Sequence, residues 1–258
     1  GKFICGHGQK SLSIERLEKN MGRNTIYYGR NPLIEALKAD VSIKKVFTKS
    51  QSDQRFVEEI FDHFGRHFPI EKRLPSLVSN EPHQGVAFES DHDFYMGQRQ
   101  SLDLKAFPRI LLCNHLHDIH NLGAISRSAA AFGFDLVVHE SRRSFSLNAA
   151  AVKVSMGLAF RIKFLEVSNL RPLMDTLKKG GFELGGLGAS GSLKIYDWQP
   201  SGPIALVLGS EADGISKPIL KALDFELSIP MVDEIDSLNV THAAAIAMGW
   251  IYSRSLKS

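Results

Sequence analysis

Three polar segments of the chain carry side chains that could position a small ligand and a reacting group. The first contains Asn121 and Arg127, the second contains Glu211, and the third contains Ser237 and Asn239. Together they supply a cation, a carboxylate, two carboxamides and a hydroxyl, which can orient a substrate through hydrogen bonds. Taken singly, the two asparagines and the serine would be equally good helix N-caps. Because each segment is expected at a strand end or a helix start, we predict that all three meet at the carboxyl edge of one parallel sheet.

Two apolar segments in the last third of the chain are predicted to be the strands that hold this site. Residues 204–208 run into a loop that begins with Gly209, and residues 227–231 run into the acidic loop 232–236. We expect the two strands to end beside each other, with the N-terminus of the final helix pointing at the same place. Glycine and strand-end amides there would form a small-ligand pocket, because they allow close approach to the backbone.

A dinucleotide-binding turn is the first alternative that the sequence suggests. Residues 186–191 fit the pattern G-x-G-x-x-G, but that fingerprint requires a helix that opens at the last glycine. Residues 192–198 are too short for such a helix, because Pro200 follows. We therefore interpret residues 186–191 as a flexible surface loop. The lack of a fitting glycine-rich turn also argues against the common Rossmann-type methyltransferases.

A metal site is the second alternative. Cys113, His115 and His117 alternate along the chain and His120 follows, so a strand would place the first three on one face, as metal ligands require. The chain is expected to leave strand geometry near Asn114, and no distant Cys/His pair completes the set. We predict a loop that contains histidines and no metal.

Hydrolase and nucleotide-phosphate chemistry are the remaining alternatives. Ser210 follows a predicted strand, but the sequence has no G-x-S-x-G elbow and supplies no argument for His and Asp partners. The amides of residues 209–214 could cradle a phosphate, yet the Lys-Ser/Thr pair of a P-loop is missing. Neither chemistry is favoured.

The composition indicates a globular protein that does not span a membrane. The chain has 258 residues, with 43% hydrophobic and 23% charged residues, and no apolar run reaches the ~18 residues that a span requires. Cys5 and Cys113 are far apart, which favours a reducing cytoplasm over a disulfide scaffold. The formal net charge of +3 permits an RNA partner, which would have to bind local clusters of positive charge.

Strand and helix patterns alternate along the chain with short connections, which predicts an α/β fold with a parallel sheet. We divide the sequence into a polar tail (1–22), a small αβ domain (23–95), a linker (96–107) and a larger sheet domain (108–258). The linker is polar, shows no clear hydrophobic period and leads to Pro108.

Cap and stop signals predict the main helices. In the small domain, Asn31 is expected as the N-cap of a helix over residues 33–39, with Pro32 in its first turn, and a second helix covers residues 54–64. In the larger domain, helices are expected over residues 122–132, 149–158 and 169–179. A final helix, rich in small residues, follows Asn239.

In order and spacing, the three polar segments resemble the motifs of the SpoU/TrmH family of RNA ribose 2′-O-methyltransferases, a branch of the SPOUT superfamily. The resemblance is carried by residues 118–127 (DIHNLGAISR), 206–214 (LVLGSEADG), and 229–231 (IPM) with 237–240 (SLNV). It extends over about residues 106–254, and residues 25–92 resemble the small RNA-binding domain that many members carry in front.

The resemblance implies a fold, a cofactor and partners. It implies a deep trefoil knot in the carboxyl-terminal parallel-sheet domain, a homodimer and S-adenosylmethionine as the methyl donor, with ribosomal or transfer RNA as substrate and guanosine of 23S ribosomal RNA favoured. The implied cofactor-binding residues are Leu208, Gly209, Ile229, Met231 and Leu238.

In such enzymes Asn121, Arg127, Glu211, Ser237 and Asn239 are the catalytic residues. The family proposal makes Arg127 the base for the ribose hydroxyl, but a guanidinium resists deprotonation and suits phosphate clamping at least as well. Glu211, Ser237 and Asn239 would orient the arginine, the nucleotide and the cofactor by hydrogen bonds. Phosphate contacts are predicted for four further cations, Arg30, Arg142, Arg143 and Lys153, for which a solvated basic face is the alternative.

Several positions depart from the family pattern. Ile119 stands where proline is usual, Ala212 replaces a glycine, and residues 241–242 (Thr-His) replace a Ser-Val-like pair. Loop 232–236 carries three acidic residues where neutral ones are usual. None of these departures removes a residue that carries chemistry, and they concern substrate choice and cofactor affinity. A second hypothesis is a non-catalytic RNA-binding relative of the same fold.

Overall fold

The computed structural model of the chain describes residues 24–96, 103–141, 147–235 and 237–256. Within these residues the chain forms a mixed sheet of four strands and a parallel sheet of seven strands. This arrangement confirms the predicted α/β class, with a small αβ layer ahead of a larger parallel sheet. The predicted tail, residues 1–22, lies outside the described residues. None of the described helices is long and apolar enough to cross a membrane.

The small sheet has the strand order β1-β4-β2-β3. Its strands are β1 (Thr25–Tyr28), β2 (Ile43–Thr48), β3 (Ile70–Glu71) and β4 (Val86–Ser90), and its helices are α1 (Arg30–Lys38) and α2 (Gln51–Phe64). Strand β4 is antiparallel to both β1 and β2. Helix α2 is capped at its start by Ser50, whose side chain accepts a hydrogen bond from the Asp53 amide, and at its end by Gly65 in the left-handed region.

The predicted N-cap of α1 is wrong. Gly29, with φ 106°, occupies the cap position, and α1 begins at Arg30 with Pro32 in its first turn. The reason is the abrupt turn from β1 into α1, which requires a positive φ that favours glycine. The Asn31 side chain instead points at Met156, with Nδ2 3.8 Å from the sulfur atom.

The large sheet has the strand order β7-β6-β5-β10-β8-β11-β9. Its strands are β5 (Arg109–Cys113), β6 (Leu136–Glu140), β7 (Lys163–Val167), β8 (Glu183–Leu187), β9 (Leu193–Lys194), β10 (Ile204–Leu208) and β11 (Phe225–Ser228). Its helices are α3 (Ile119–Ala131), α4 (Ala149–Val154), α5 (Leu170–Lys179), α6 (Lys217–Leu220) and α7 (Val240–Ser255).

The central strands are apolar on both sides because helices cover both faces of the sheet. Every residue of β10 is buried. Leu206 packs in one hydrophobic core, whereas Ala205 and Val207 pack in the other, as the two-residue period of a strand requires. A strand buried on both faces has a continuous apolar sequence, which is why residues 204–208 were predictable.

The order of the strands corrects one prediction. The two strands expected to end beside each other, β10 and β11, are separated by β8, which pairs with both. Parallel strands are joined by long crossovers, so closeness in sequence does not fix their order. As a result, the carboxyl end of β8 lies between the two loops that were expected to form the pocket.

The segment expected to begin the linker is attached to the large sheet. The Phe164 amide donates to the Phe94 carbonyl at 3.0 Å, and the Met96 amide donates to the Phe164 carbonyl at 2.8 Å. Further on, Leu104 opens a 3₁₀ turn and packs in the core below the large sheet.

The two sheets share one hydrophobic core at a contact that we call the domain junction. Phe160 stacks on Phe94 at a centroid distance of 5.1 Å and meets Tyr27 edge-on at 5.3 Å. Beside these rings, the Arg161 guanidinium lies 2.6 Å from the Glu35 carboxylate. Apolar burial and an ion pair therefore hold the small sheet layer against the large one.

Candidate active site

Helix α3 presents the first polar segment. The Asp118 carboxylate accepts a hydrogen bond from the His120 amide at 2.8 Å and so caps the helix, which begins at Ile119. Asn121 was expected as a possible cap, and that alternative is wrong, because Asn121 lies in the first turn. Its side chain is therefore available to reach across the sheet edge.

The first and second polar segments meet there. The Asn121 carboxamide donates a hydrogen bond of 2.6 Å from Nδ2 to Oε1 of Glu211, although 90 positions separate the two residues in the sequence. This contact joins the start of α3 to the loop after β10, at the carboxyl edge of the large sheet. We predicted this meeting from the placement of the two segments.

The loop that carries Glu211 is a tight turn closed on itself. The Ser210 amide donates to the Gly214 carbonyl at 3.0 Å, and the Gly214 amide donates back to Ser210 at 3.1 Å. The Ser210 hydroxyl accepts a hydrogen bond from the Asp213 amide at 3.0 Å. Ser210 therefore shapes the turn, and Glu211 is exposed.

Gly209 stands where the backbone crosses itself. A Cβ atom at this position would overlap the carbonyl carbon of Gly214 and the amide nitrogen of Ile215. No larger residue fits without moving the backbone, so glycine is required by the crossing itself. The amides and carbonyls at the end of β10 are consequently held in fixed positions.

Asn114 fixes the same loop from below, and sequence reasoning missed it. This buried side chain accepts a hydrogen bond from the Ser216 amide at 2.8 Å and donates to the Glu140 carboxylate at 3.1 Å. It thereby ties the chain after Gly214 to the ends of β5 and β6. The sequence feature that could have identified Asn114 is its position, a carboxamide directly after an apolar strand.

The third polar segment lies at the start of α7. The Asn239 side chain caps this helix, because Oδ1 accepts hydrogen bonds from the Thr241 amide at 2.8 Å and the Thr241 hydroxyl at 2.7 Å. Ser237 and Leu238 are exposed. Among the described residues, no hydrogen bond joins this segment to Asn121 or Glu211. The structure therefore pairs two of the three segments directly.

The predicted cofactor residues flank the carboxyl edge of β8. Leu208 is the buried last residue of β10, and its carbonyl accepts a hydrogen bond from the Asn114 amide at 2.8 Å. Ile229 and Met231 follow the end of β11 and are partly buried. The carboxyl end of β8 lies between these two groups of residues, a position that sequence reasoning did not include.

The glycine-rich segment at the end of β8 exposes Ala189 and Ser190, as a surface loop would, but its glycines are packed against β11. A Cβ atom at Gly191 would lie 2.5 Å from the carbonyl carbon of Leu227, and the Gly188 amide donates to that carbonyl at 2.9 Å. Strand β9 and a single 3₁₀ turn follow it. The helix that a dinucleotide-binding turn requires does not follow residues 186–191, so these glycines serve close packing on β11.

Comparison with known protein families identifies the fold. Residues 108–249 match the model of the SpoU rRNA Methylase family, and residues 26–96 match a model described as RNA 2′-O ribose methyltransferase substrate binding. The chain belongs to the SpoU family. Members of this family are S-adenosylmethionine-dependent RNA methyltransferases, as the resemblance of the three motifs implied.

Individual SpoU relatives match over nearly the whole chain. A protein of Staphylococcus saprophyticus, whose name assigns it to the TrmH family of tRNA/rRNA methyltransferases, is 30% identical over 239 residues, which are 89% of this chain and 95% of that protein.

Two solved structures share the fold of this SpoU-family chain. The SpoU methyltransferase AviRb from Streptomyces viridochromogenes in complex with AdoMet has a TM-score of 0.73 at 17% identity, covering 96% of this chain and 99% of that one. An AdoMet-bound rRNA methyltransferase from Sinorhizobium meliloti has a TM-score of 0.70 at 19% identity, covering 98% of both chains.

Arg127 differs from Asn121, Glu211 and Asn239 in this SpoU-family chain, because those three side chains have hydrogen-bond partners. It lies on α3 and is exposed. No hydrogen bond or ion pair connects its guanidinium to the residues that the structure describes. Glu211, by contrast, is already hydrogen bonded to Asn121. The arginine is therefore free to bind an anion that is not part of this chain.

Two of the four predicted RNA contacts lie at or beside the domain junction. The Arg30 guanidinium lies 2.8 Å from the Asp53 carboxylate, and the Lys153 amine donates to Oε1 of Gln84 at 2.9 Å. Burial lowers the pKa of Lys153. Arg142 and Arg143 lie outside the described residues. A role of these four cations in RNA binding stays a prediction.

His115, which follows β5, has a structural partner in this SpoU-family chain. His115 Nδ1 lies 3.5 Å from the Glu140 carboxylate, and burial raises the pKa of Cys113 to about 12. Across the described ranges, no group of three or more His, Cys, Asp or Glu side chains is arranged to hold a metal ion.

Proposed function

We propose that this chain transfers the methyl group of S-adenosylmethionine to a ribose 2′-hydroxyl of structured RNA, with ribosomal RNA favoured over transfer RNA. The observation that carries the proposal is the hydrogen bond between Asn121 and Glu211. It brings two motifs of a SpoU-family chain together beside Gly209, whose backbone allows no side chain. A fixed backbone next to orientable polar side chains suits a reaction that depends on positioning.

The residues at the sheet edge fit the cofactor. Gly209 leaves the backbone bare, and the adjacent carbonyls and amides are held by the closed turn and by Asn114. We assign backbone contacts with the cofactor to the ends of the two strands and the start of α7, through Leu208, Gly209, Ile229, Met231 and Leu238. When bound, the cofactor supplies an electrophilic methyl group on sulfonium sulfur.

The chain's own residues would position the RNA. Methylation of the ribose oxygen would release the hydroxyl proton, and solvent water at the exposed edge beside Glu211 and Ser237 would accept it. We assign Arg127 the role of a clamp on an RNA phosphate near the reacting ribose, because it is exposed, lacks a partner among the described residues and resists deprotonation. Asn121 and Glu211 would orient the nucleotide, and Ser237 and Asn239 would line the opposite rim.

A homodimer and a trefoil knot belong to the same proposal. Loop 232–235 and the outer side of α7 expose large apolar residues, with Val232 69%, Ile235 50% and Ile246 37% accessible. Such residues are costly in water and would be covered in a dimer. Light scattering after size exclusion would report the mass. We further propose that the protein acts in the cytoplasm, where its RNA substrates are.

The proposal is tested first by calorimetric titration with S-adenosylmethionine. We expect saturable heat at micromolar to millimolar ligand, and no heat for a variant with Gly209→Val, in which the side chain would fill the crossing. Absence of heat from the wild-type protein at millimolar ligand would favour the non-catalytic RNA-binding alternative.

The site of methylation is tested by mass spectrometry of nucleosides from ribosomal and transfer RNA. RNA from a strain lacking the protein should lose one ribose-methylated nucleoside and regain it when incubated with the enzyme and cofactor. A 2′-O-methyl group also protects the adjacent phosphodiester from alkaline cleavage, because the attacking hydroxyl is gone. A base-methylated product would contradict the ribose assignment, and restoration only in transfer RNA would reverse the preferred substrate.

A further inference from the structure

A cleft of about 350 Å³ opens on the small domain, between the carboxyl end of β2 and the first turns of α2. Its walls include Thr48, Lys49, Arg55, Glu58 and Lys72. None of these residues belongs to the sheet edge described above, and the proposed methyl transfer does not use them.

The cleft carries an excess of positive charge that the protein leaves unpaired. Lys49, Arg55 and Lys72 line it, and they form no ion pair with any residue that the structure describes. The single carboxylate of the lining, Glu58, accepts a hydrogen bond from the Gln54 carboxamide at 2.7 Å.

Other lysines of the same domain form ion pairs. Lys38, Lys44 and Lys45 each have a carboxylate within 3.1 Å. The cations of the cleft are therefore distinguished by their lack of a partner as well as by their charge.

The N-terminus of α2 adds oriented amides to the same wall. Helix α2 has 14 residues, and the amides of its first turn precede the first intrahelical hydrogen bonds and carry the positive end of the helix dipole. The Asp53 carboxylate lies in this turn, but Ser50 and Arg30 hold it, at 2.6 and 2.8 Å. Such a helix end favours a bound anion.

Thr48 supplies the independent sign that a ligand belongs here. It lines the cleft with only 1% of its surface accessible, and its hydroxyl has no hydrogen-bond partner. Only one other buried side-chain polar atom of the described residues shares this lack, Oε2 of Glu35, and that atom faces Arg161 in an ion pair. Leaving a buried hydroxyl without a partner costs stability unless a ligand completes it.

We propose that this cleft binds a phosphate group of the RNA backbone, held by the three cations, the first amides of α2 and the Thr48 hydroxyl. The assignment to RNA rests on the proposed function, because inorganic phosphate or a free nucleotide presents the same oxygens. A phosphate contact carries no sequence information, so the cleft would set the register of the RNA on the small domain.

The main test compares RNA affinity with stability in matched variants of the full chain. The probe is a fluorescently labelled hairpin RNA of about 30 nucleotides, read by anisotropy at several salt concentrations. With Thr48→Val, which keeps the side-chain shape, we expect the affinity to fall about tenfold and the thermal unfolding temperature to stay level or rise. Thr48→Ser should restore the affinity, because it restores the hydroxyl.

The charge variants supply a second readout. In the double variant Arg55→Gln with Lys72→Gln, the slope of log affinity on log salt should shrink by about 1.4 to 1.8, as expected for two lost phosphate contacts. Lys38→Gln removes a paired lysine outside the cleft and should change affinity less than about twofold. Unchanged affinity and slope in the cleft variants would overturn the proposal.

Two further arms identify the source of the phosphate and separate this proposal from the methyltransferase assignment. Inorganic phosphate at millimolar concentration should shift the nuclear magnetic resonance signals of the Gln51 and Ser52 amides. If wild-type protein methylates RNA and the cleft variants bind it equally well, the cleft proposal fails and the enzyme stands. If phosphate or a mononucleotide binds but RNA does not, the RNA assignment of the cleft is overturned.

Discussion

The carboxyl edge of the large sheet and the domain junction use similar side chains in opposite ways. At the sheet edge, Glu211 and Ser237 are exposed, and so is Arg127 about two turns into α3. Among the described residues, the hydrogen bond from Asn121 to Glu211 is the only one that these three side chains form. At the junction, Arg161 pairs with Glu35 and Lys153 with Gln84.

Under the proposed function, the difference separates residues that would bind substrate from residues that hold the two sheets together. Charged groups that already have protein partners stabilise a contact between domains, and those without partners can bind an anion from outside. The backbone of the sheet edge, unlike its exposed side chains, is closely packed, because the main chain at Gly209 leaves no space for a side chain. Four predictions test the comparison.

The largest effect is expected for Arg127→Ala. Methylation of RNA should fall by about 10² to 10⁴, because a group that positions the reacting ribose is lost. The thermal unfolding temperature should change little, since the side chain is exposed and makes no interaction with the described residues. Transfer of labelled methyl groups into bulk RNA and a thermal melt measure the two quantities.

The control for this variant is Arg171→Ala. Arg171 is a helical arginine of the same domain whose exposed ion pair with Asp175, at 3.1 Å, should contribute under about 1 kcal/mol. Its methylation activity should match that of the wild type. Equal activities of the two variants would remove Arg127 from the site.

The second prediction concerns the backbone of the sheet edge. Gly209→Ala should destabilise the protein by about 3 kcal/mol or abolish cofactor binding, because the new Cβ overlaps the backbone of Gly214 and Ile215. Gly202→Ala is the matched control, since its Cβ would meet its nearest atom at 3.7 Å. Denaturant unfolding and calorimetric titration provide the measurements. Normal cofactor affinity and stability in Gly209→Ala would show that the crossing can relax.

Much of this edge could be predicted from the sequence, for physical reasons. Residues 204–208 and 109–113 are continuous apolar runs because both faces of the sheet are covered. The meeting of Asn121 with Glu211 was predictable because polar residues at strand ends and helix starts collect at one edge. Family membership came from the resemblance of three ordered motifs, and periodicity alone would not have provided it.

Other features could not be predicted, because they depend on contacts distant in sequence. No local pattern places β8 between β10 and β11, or Asn114 beneath the loop after Gly214. The cap of α3 moved from Asn121 to Asp118, since both residue types suit a cap and only the fold decides between them. The attachment of residues 94–96 to β7 was hidden in a segment without a hydrophobic period.

The third prediction tests how closely the domain junction is packed. Gly157 and Gly65 both have positive φ, at 86° and 63°, but a Cβ at Gly157 would lie 2.6 Å from Cα of Pro32, whereas one at Gly65 meets nothing within 4 Å. Gly65→Ala should lower the free energy of unfolding by about 1 kcal/mol, because only the positive φ disfavours the alanine. Gly157→Ala should lower the free energy of unfolding by about 2 to 4 kcal/mol, because the small domain must also move away from the new Cβ atom. Equal costs in denaturant unfolding would mean that the junction yields easily.

The smallest effect is a pH dependence at the junction. His92 packs edge-on against Phe94 and Phe160, at 4.7 and 5.4 Å. Burial, with a smaller contribution from the charge of Lys163, lowers its pKa below the usual value, which is about 6.5 in an unfolded chain. Between the lowered pKa and 6.5 the unfolded state binds more protons than the folded state, so stability rises with pH in this window.

The contribution of His92 is therefore fully present above pH ~6.5 and is lost as the pH falls through that window. When the pH is lowered from 7 to 5.5, the free energy of unfolding should decrease less in a His92→Asn variant than in the wild type. The difference between the two decreases should be below about 1 kcal/mol. His139, whose pKa burial also lowers, contributes equally to both proteins and cancels in the comparison. An identical decrease in the free energy of unfolding of the two proteins would show that protonation of His92 does not destabilise the junction.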